Sequence, residues 1–459
     1  MDELNVTPAE LLTVADRYAE ASQRTAALSP RAAEMLRQVI ATHGVMGYPV
    51  ALGIAAGLSA QEPALNSKAA EFLENSHRFT EHANTYAAGD RANAVGYRTG
   101  PPLAPGDLGE DRPGDEDSRS DIDAVDRDNR ERLQDVLDRI NALPDGQAKT
   151  DRLADVAAVR DALTVDDSHL VFIDWDGDPA HMVKAATSVG DPYRADHVSV
   201  TVPGVTSTTR GALSSMTHEA AQLRNEALEV AKNRGETTSV ATISWTGYQP
   251  PLALIDGQTV NDNLAKEGAP ALTSFLADLS SRSVNPDQTV ALFGHSYGSL
   301  VAGIALKDGA SAYVDNAVVY GSPGFAATST AQLGMNDHNF FVMSAPDDPI
   351  NPFGELAPAH GWGADPNDIV RRPFQFDTPF GAPFGSGRWR FDHLATGEGF
   401  TPDLPDGTPG EHKSASHGHA GYPRNATEQM TGYNLAAVLL GHPEWAVHEP
   451  VPSPTHPRR

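Results

Sequence analysis

The sequence predicts an α/β domain with a mainly parallel sheet, preceded by a small all-helical domain. Beyond residue 121, β-type runs alternate with helical ones, which is typical of a parallel sheet covered by helices on both faces. The first 95 residues have helical patterns, and a stretch rich in Pro, Gly and charged residues separates the two parts. A chain of 459 residues is also longer than a usual single domain.

The N-terminal part begins with a helix-start signal. In Thr7-Pro8-Ala9-Glu10, the hydroxyl, the proline and the glutamate suit the exposed N–H groups of a first turn. Further helices are expected over about 29–44 and 62–88. The last of these has a mostly apolar seam, formed by Leu65, Ala69, Phe72, Ser76, Phe79, Ala83 and Tyr86. The seam predicts an intramolecular helix pair or, alternatively, a docking face for a partner helix.

The predicted domain boundaries follow changes in composition. Residues 1–95 form the helical domain, 96–120 an acidic linker rich in Pro and Gly, 121–445 the α/β domain, and 446–459 a Pro-rich tail. The linker has hardly any apolar residues, so it cannot bury enough surface to order itself. The start of the chain lacks the pattern of a signal peptide, and the apolar run 48–58 is too short to cross a bilayer. No transmembrane segment is expected.

Composition argues against several classes of function. Asp and Glu number 61 against 34 Lys and Arg, and the formal net charge of −27 repels polyphosphates, so nucleic acid is not expected as a partner. There is no Cys, which excludes disulfides, Cys nucleophiles and Cys-bound metals. No cofactor is predicted.

The elements of the α/β domain are predicted in a definite order. Two amphipathic helices near 121–142 and 150–163 precede a hairpin formed by 169–175 and 181–189. Further strands and helices then alternate. The strands are expected at 197–202, 239–245, 289–293, 316–320 and 339–344, and the helices at 211–234, 262–282, 297–308 and 426–440.

The stretch 351–415 has no regular period and is rich in Pro, Gly and Phe. It is therefore predicted to be structureless. Such long segments inside a compact domain are usually functional. Its position beside the candidate site residues predicts a lid, or an excursion that shapes the substrate site.

The candidate nucleophile is Ser296, in the motif Gly294-His295-Ser296-Tyr297-Gly298. An apolar strand runs directly into this motif and a helix continues from it. A turn this sharp needs glycines where side chains would collide, and it exposes the serine hydroxyl above the sheet edge. His295 is expected to be a packing residue.

A serine nucleophile needs a base and an acid that orients the base. Asp347 and Asp348 follow the predicted strand 339–344, and Asp348 is the preferred acid. His419 is the preferred base, with His417 as the alternative. A metal site of His412, His417 and His419 is disfavoured because these residues lack helical ligand spacing.

Acyl transfer at a serine creates an oxyanion, so N–H donors must already point at its position. The backbone N–H of Tyr297 is the expected first donor. The predicted strand 197–202 leads into a Pro-Gly-Val segment, where glycine lets the backbone approach a substrate. Gly204 or Val205 is the expected second donor, unless this segment is only a tight turn between a strand and a helix.

Five short motifs occur in a fixed order. They are Val-Pro-Gly-Val-Thr-Ser at 202–207, Ser-Trp-Thr-Gly-Tyr-Gln-Pro-Pro at 244–251, Gly-His-Ser-Tyr-Gly-Ser at 294–299, Gly-Ser-Pro-Gly at 321–324 and His-Ala-Gly-Tyr at 419–422. Together they resemble an actinobacterial α/β-hydrolase family of largely unassigned function, over about residues 120–442. The resemblance implies an α/β-hydrolase fold and a triad of Ser296, Asp348 and His419. It implies no substrate.

Residues 1–95 are similar to small helical proteins of type VII, or ESX, secretion. The similar features are Leu-Asn-Val-Thr-Pro at 4–8, Thr-His-Gly at 42–44, and Tyr86 followed by Asp90 in the pattern Tyr-x-x-x-Asp. The resemblance implies that Tyr86 and Asp90 form an export signal and that the N-terminal helices bind a type VII secretion partner. The protein is then secreted or held at the cell envelope, or cytoplasmic if the signal is not used.

The combined expectation is an exported serine hydrolase that cleaves an ester or thioester of a small-molecule or lipid-like acyl substrate. The same triad suits an amidase or peptidase, because acyl-transfer chemistry is shared. A secreted binding protein on a hydrolase scaffold is the alternative from another class.

Overall fold

The computed structural model describes residues 120–252, 262–371 and 387–451. The N-terminal helical domain, the linker up to residue 119, the signal residues Tyr86 and Asp90, and the tail from residue 452 lie outside the described residues. The strands in the described part are β1 (Ser168–Asp174), β2 (Lys184–Val189), β3 (His197–Val202), β4 (Val240–Thr246), β5 (Thr289–His295), β6 (Asn316–Tyr320), β7 (Phe340–Met343), β8 (Ile369–Arg371), β9 (Gly387–Trp389), β10 (Asp392–His393), β11 (Gly399–Phe400) and β12 (His412–Lys413).

Helices connect most of these strands. The α-helices of the described part are α1 (Ile122–Asn141), α2 (Gln147–Ala162), α3 (Thr209–Asn233), α4 (Asn263–Arg282), α5 (Tyr297–Lys307), α6 (Asn351–Gly354), α7 (Ala357–His360) and α8 (Met430–Leu439). Helix α1 starts at a side-chain cap, since the Asp121 carboxylate accepts hydrogen bonds from the Asp123 and Ala124 N–H groups. None of the helices in 120–252, 262–371 and 387–451 is long and apolar enough to cross a membrane.

Eight of the described strands form one sheet, in the order β1-β2-β4-β3-β5-β6-β7-β10. Strands β1 and β2 form the predicted antiparallel hairpin, and β2 pairs antiparallel with β4. The other neighbours in this sheet are parallel, as predicted. The carboxyl ends of β3, β5, β6 and β7 therefore meet at one edge, which is where α/β sheets usually bind ligands.

Different helices cover the two faces of the sheet. Helices α4 and α5 pack on one face against Val200 and Leu292, and α3 and α8 pack on the other against Phe293 and Tyr320. Leu292 and Phe293 are adjacent but belong to different clusters, because successive strand side chains point to opposite faces. Strand β5 is thus buried on both sides and gives the residue that follows it a rigid support.

The prediction that 351–415 is structureless was wrong. Its described parts contain α6, α7 and β8 to β12, and β10 pairs in parallel with β7 as a strand of the main sheet. These elements are two to four residues long, so they leave no period in the sequence. Residues 372–386 lie outside the described residues, and the role of the segment as a lid stays a prediction.

Candidate active site

Ser296 lies in the sharp turn between β5 and α5. Its backbone has φ 54° and ψ −128°, a conformation that is rare for a residue with a side chain. The turn also needs small neighbours. A Cβ on Gly298 would lie 2.3 Å from the Val202 carbonyl oxygen, and one on Gly294 would lie 2.8 Å from the Ser299 Cα. The sequence motif thus forms a strained strand-turn-helix at the carboxyl edge of the sheet.

The hydroxyl of Ser296 contacts an imidazole. Ser296 Oγ lies 2.8 Å from His419 Nε2, although the two residues are far apart in the sequence. On the other side of the ring, His419 Nδ1 lies 3.0 Å from Asp348 Oδ1 and 3.2 Å from Asp348 Oδ2. The structure therefore brings the three predicted residues into one chain of hydrogen bonds, all of them buried.

Asp348 is buried but well supplied with donors. Besides His419, the Tyr422 hydroxyl donates to Oδ2 at 2.6 Å and the Ile350 N–H donates to Oδ1 at 2.9 Å. Burial alone would raise the pKa of this carboxyl, but the charge and hydrogen bond of His419, with the two further donors, hold it below its usual value. Asp348 is therefore ionised and can stabilise a positive charge on His419.

The alternative acid and base form a separate pair. Asp347 lies 3.1 Å from His417 Nδ1 and accepts a hydrogen bond from the Gly418 N–H, also at 3.1 Å. The His417 side chain is 68% exposed, whereas that of His419 is 10% exposed. Asp347 and His417 thus hold the turn that precedes His419, while Asp348 and His419 point towards Ser296.

The loop after β3 approaches the candidate nucleophile at Gly204. A Cβ on Gly204 would lie 2.5 Å from the Ser296 Cβ and 2.9 Å from its Oγ, so only glycine fits there. Val205 follows and packs partly against the core. Thr206 has φ 63° and donates its N–H to the Pro251 carbonyl at 2.8 Å. Tyr297, the other expected donor, is the first residue of α5.

His295 does more than the expected packing. Its ring stacks on Tyr320 with centroids 5.3 Å apart, and its Nε2 lies 2.8 Å from the His419 carbonyl oxygen, to which it donates. Burial and the nearby charge of His419 lower the pKa of His295 to about 3, so the ring is neutral. The residue before Ser296 thereby anchors the backbone of the imidazole residue.

Sequence reasoning did not assign site roles to Gly321 and Tyr422. Gly321 has φ 53°, and a Cβ there would lie 2.9 Å from Asp348 Oδ2 and 3.1 Å from His419 Nδ1. Tyr422 is fully buried and its hydroxyl also accepts the Ala345 N–H at 2.8 Å. Gly321 lies in the short motif at 321–324 and Tyr422 in the motif at 419–422. Membership in these motifs was the sequence feature that could have indicated a role in the site.

Two further serines brace the turn around Ser296. The Ser299 hydroxyl lies 2.5 Å from the Ser296 carbonyl oxygen and 2.6 Å from the Ser322 hydroxyl. Both hydroxyls are buried, so their hydrogen bonds help to fix the backbone of the turn. As for metals, the described ranges contain no group of three or more His, Asp or Glu residues placed to hold an ion.

Comparison with known proteins is consistent with this geometry. Residues 178–358 match a family profile described as α/β hydrolase. An uncharacterised protein of Mycobacterium tuberculosis is 36% identical over 224 residues, which cover 48% of this chain and 81% of that relative. The chain belongs to the α/β-hydrolase family. A corresponding protein of Mycobacterium bovis matches this hydrolase equally well.

The N-terminal part of this α/β hydrolase matches a second family. Residues 1–95 fit a profile described as excreted virulence factor EspC, type VII ESX diderm. The chain therefore joins a type VII secretion-associated domain to an α/β-hydrolase domain, as the sequence predicted.

Solved structures with some similarity are esterases. One is a hyperthermophilic esterase from Pyrobaculum calidifontis, with 16% identity and a TM-score of 0.27 over 50% of this chain and 84% of that chain. Another is the esterase LipW from Mycobacterium marinum, with 11% identity and a TM-score of 0.26 over 51% of this chain and 79% of that one.

Proposed function

We propose that this protein is a serine hydrolase that cleaves an ester or thioester through an acyl-enzyme on Ser296. The proposal depends mainly on one observation, the 2.8 Å contact between Ser296 Oγ and His419 Nε2 in a strained turn at the sheet edge. A serine hydroxyl becomes a useful nucleophile when a base of this kind removes its proton. The ionised carboxylate of Asp348, on the far side of His419, can orient the imidazole and stabilise its positive charge.

The proposed reaction has two halves. In the first, His419 Nε2 takes the proton of Ser296 while Oγ attacks the carbonyl carbon, and His419 then returns the proton to the leaving alcohol or thiol. In the second, His419 takes a proton from the water that attacks the acyl carbon, the bond to Ser296 Oγ breaks, and His419 gives this proton to Oγ as the carboxylic acid leaves. Asp348 accepts a hydrogen bond from the Nδ1–H group of His419 and stabilises the imidazolium in both halves.

The negative oxygen of each tetrahedral intermediate needs donors that do not move during the reaction. We assign these to the backbone N–H of Tyr297 and to that of Gly204, with Val205 as the alternative to Gly204. The close approach of Gly204 to Ser296 Oγ supports this assignment. A bulkier residue at 204 would displace the loop from the reacting carbonyl.

Labelling with a fluorophosphonate probe tests the nucleophile. The wild-type protein should be labelled on one serine, and Ser296→Ala should abolish the label. Ser215→Ala is the matched control because Ser215 lies on the exposed face of α3, and its labelling should equal that of the wild type. An unlabelled but folded wild type, or a labelled Ser296→Ala variant, would refute the proposal. Turnover of peptide or amide substrates faster than esters would favour the amidase alternative.

We also propose that a type VII system exports the protein to the cell envelope or the medium. The match of residues 1–95 to an ESX-associated family supports this proposal. Tyr86 and Asp90 are the proposed signal, since residues four positions apart lie on the same side of a helix. The N-terminal helices would then bind the secretion partner.

A further inference from the structure

The segment after β4 supports the loop that approaches Ser296. The Tyr248 hydroxyl donates a hydrogen bond to the Pro203 carbonyl oxygen at 2.7 Å, in the buried interior. Three residues later in the same segment, the Pro251 carbonyl accepts the N–H of Thr206 at 2.8 Å. The motif at 244–251 therefore holds both ends of the Pro203–Thr206 turn, a role that the triad chemistry does not explain.

The Tyr248 contact acts on one particular peptide group. The carbonyl of Pro203 and the N–H of Gly204 belong to the same planar unit, and the described residues contain no cis peptide bond. In a trans unit the carbonyl and the N–H point in opposite directions. A hydroxyl that fixes the Pro203 carbonyl thus also fixes the direction of the Gly204 N–H, the proposed oxyanion donor.

The position of the Tyr248 hydroxyl is itself well determined. The residue is 2% exposed and its ring stacks on Trp245, with centroids 6.0 Å apart and an interplanar angle of 12°. Gly268 of α4 allows this packing, since a Cβ there would lie 2.8 Å from the Tyr248 Cβ. The ring cannot follow the loop if the loop moves, so its hydroxyl is a fixed point for the Pro203 carbonyl.

A second element lies close to the same carbonyl. A Cβ on Gly298 would lie 2.5 Å from the Pro203 oxygen, so the carbonyl sits against the start of α5. Without the Tyr248 hydroxyl, this buried carbonyl would lose the hydrogen bond that it accepts. The loss would cost the free energy typical of a buried, unpaired polar group. Rotation of the Pro203–Gly204 peptide would relieve that cost. The same rotation would turn the Gly204 N–H away from the oxyanion and point the Pro203 carbonyl at it.

We propose that Tyr248 is a positioning residue that keeps the oxyanion hole assembled by holding the Pro203–Gly204 peptide in its productive orientation. This inference rests on the proposed serine hydrolase function. Tyr248 touches neither the triad nor the reacting atoms, and it acts only through the direction of one N–H group. Its loss therefore weakens binding of the transition state and leaves ground-state binding nearly unchanged.

The test uses the full-length protein with Tyr248→Phe. With p-nitrophenyl butyrate, kcat should fall about 10- to 100-fold, because one oxyanion donor is misplaced, while KM stays within about twofold. Phenylboronic acid becomes tetrahedral when Ser296 Oγ adds to its boron, so its affinity should fall in parallel with kcat. Tyr433→Phe is the matched control, since it removes a buried hydroxyl that donates to the Trp445 carbonyl at 3.0 Å away from the site. This control should leave both quantities unchanged.

A second variant keeps the inference testable if Tyr248→Phe folds poorly. Replacement of Tyr248 by p-aminophenylalanine retains a donor at the ring position, so kcat and phenylboronic acid affinity should return to within about threefold of wild type. If this variant is as impaired as Tyr248→Phe, or if Tyr248→Phe keeps wild-type kcat, the inference is overturned and the hydrolase proposal still stands. A wild type that is not labelled by fluorophosphonate removes the hydrolase proposal itself.

Discussion

Two neighbouring carboxylates, Asp347 and Asp348, have opposite surroundings. Asp348 is buried and bonded to His419, whereas Asp347 bonds to the exposed His417 and to the Gly418 N–H. We expect Asp348→Asn to lower kcat/KM by about a thousandfold or more, because the imidazole loses its orientation and its counter-charge. Asp347→Asn should cost less than about tenfold, since it loosens only the preceding turn. Measurement of kcat/KM for ester hydrolysis by the two variants tests this expectation. Equal losses of kcat/KM in both variants would contradict the assignment of Asp348.

The hydrogen bond from Tyr422 to Asp348 should make stability depend on pH. The pKa of Asp348 is lowered in the folded protein, so its stabilising contribution is present above the unfolded value near 3.8 and is lost as the pH falls through the folded value. Tyr422→Phe removes a donor to the charged form and raises this folded pKa. The variant should be less stable by about 2 kcal/mol at pH 7, and the difference should shrink as Asp348 becomes protonated.

Urea unfolding at a series of pH values measures this effect. Part of the loss comes from the Ala345 N–H, which also bonds to the Tyr422 hydroxyl, and that part does not change with pH. Tyr433→Phe again serves as the control, because its partners are Arg234 and the Trp445 carbonyl. A penalty for Tyr422→Phe that does not shrink at any acidic pH at which both proteins still fold would show that its hydroxyl does not stabilise the Asp348 carboxylate.

At the scale of elements, the sequence predicted the parts of the fold that have a period of their own. The buried strand β5 and the helix α5 are continuous apolar runs on either side of the glycine-containing turn. Both elements, and Ser296 between them, could therefore be predicted from the sequence. Strand β10 could not, because two residues have no pattern and join the sheet only through pairing with β7. The role of Gly321 could not be predicted from the sequence either. This position must lack a side chain because Asp348 and His419, which come from distant segments, lie close to it.

A buried ion pair links β12 to α3. Lys413 Nζ lies 2.9 Å from Glu226 Oε1 and donates to the Thr427 carbonyl at 2.7 Å, and the Lys413 and Glu226 side chains are 3% and 2% exposed. Burial raises the pKa of Glu226 to about 7, and the hydrogen bond and charge of Lys413 oppose a larger rise. Because Lys413 lies six residues before His419 in the sequence, this pair fastens the start of the segment that carries the imidazole.

Breaking this pair should cost stability unless both partners are removed. Lys413→Met leaves a buried carboxylate without its partner and should destabilise the protein by about 3 to 5 kcal/mol, whereas the double variant Lys413→Met with Glu226→Leu should recover most of that loss. Lys266→Met is the matched control because Lys266 is exposed in its pair with Asp262, and the change should cost less than about 1 kcal/mol. Chemical unfolding compares the three variants, and a double variant that is no more stable than Lys413→Met would contradict the pairing.

At the scale of the whole molecule, the two family matches cover 1–95 and 178–358 and leave α1 and α2 unassigned. Contacts of α1 argue that it belongs to the hydrolase domain. The Asn129 side chain donates to the Leu170 carbonyl at 2.9 Å, and the Leu170 N–H donates to Asp126 at 2.7 Å. These bonds tie α1 to the edge strand β1. They support the proposed domain start at residue 121, directly after the linker.

The proposed export signal and the proposed catalytic residues lie in different parts of the sequence, so each should be removable without the other. Replacing Tyr86 and Asp90 together by Ala should keep the protein inside a mycobacterial host with a type VII system, while fluorophosphonate labelling of the retained protein equals that of wild type. Ser296→Ala should be exported normally, and so should Tyr97→Ala, which changes a nearby tyrosine that has no Asp four residues later. Immunoblots of culture filtrate, envelope and lysate, with a cytosolic marker for lysis, measure the distribution. An unchanged distribution of the Tyr86 and Asp90 variant would refute the signal and leave the hydrolase assignment intact.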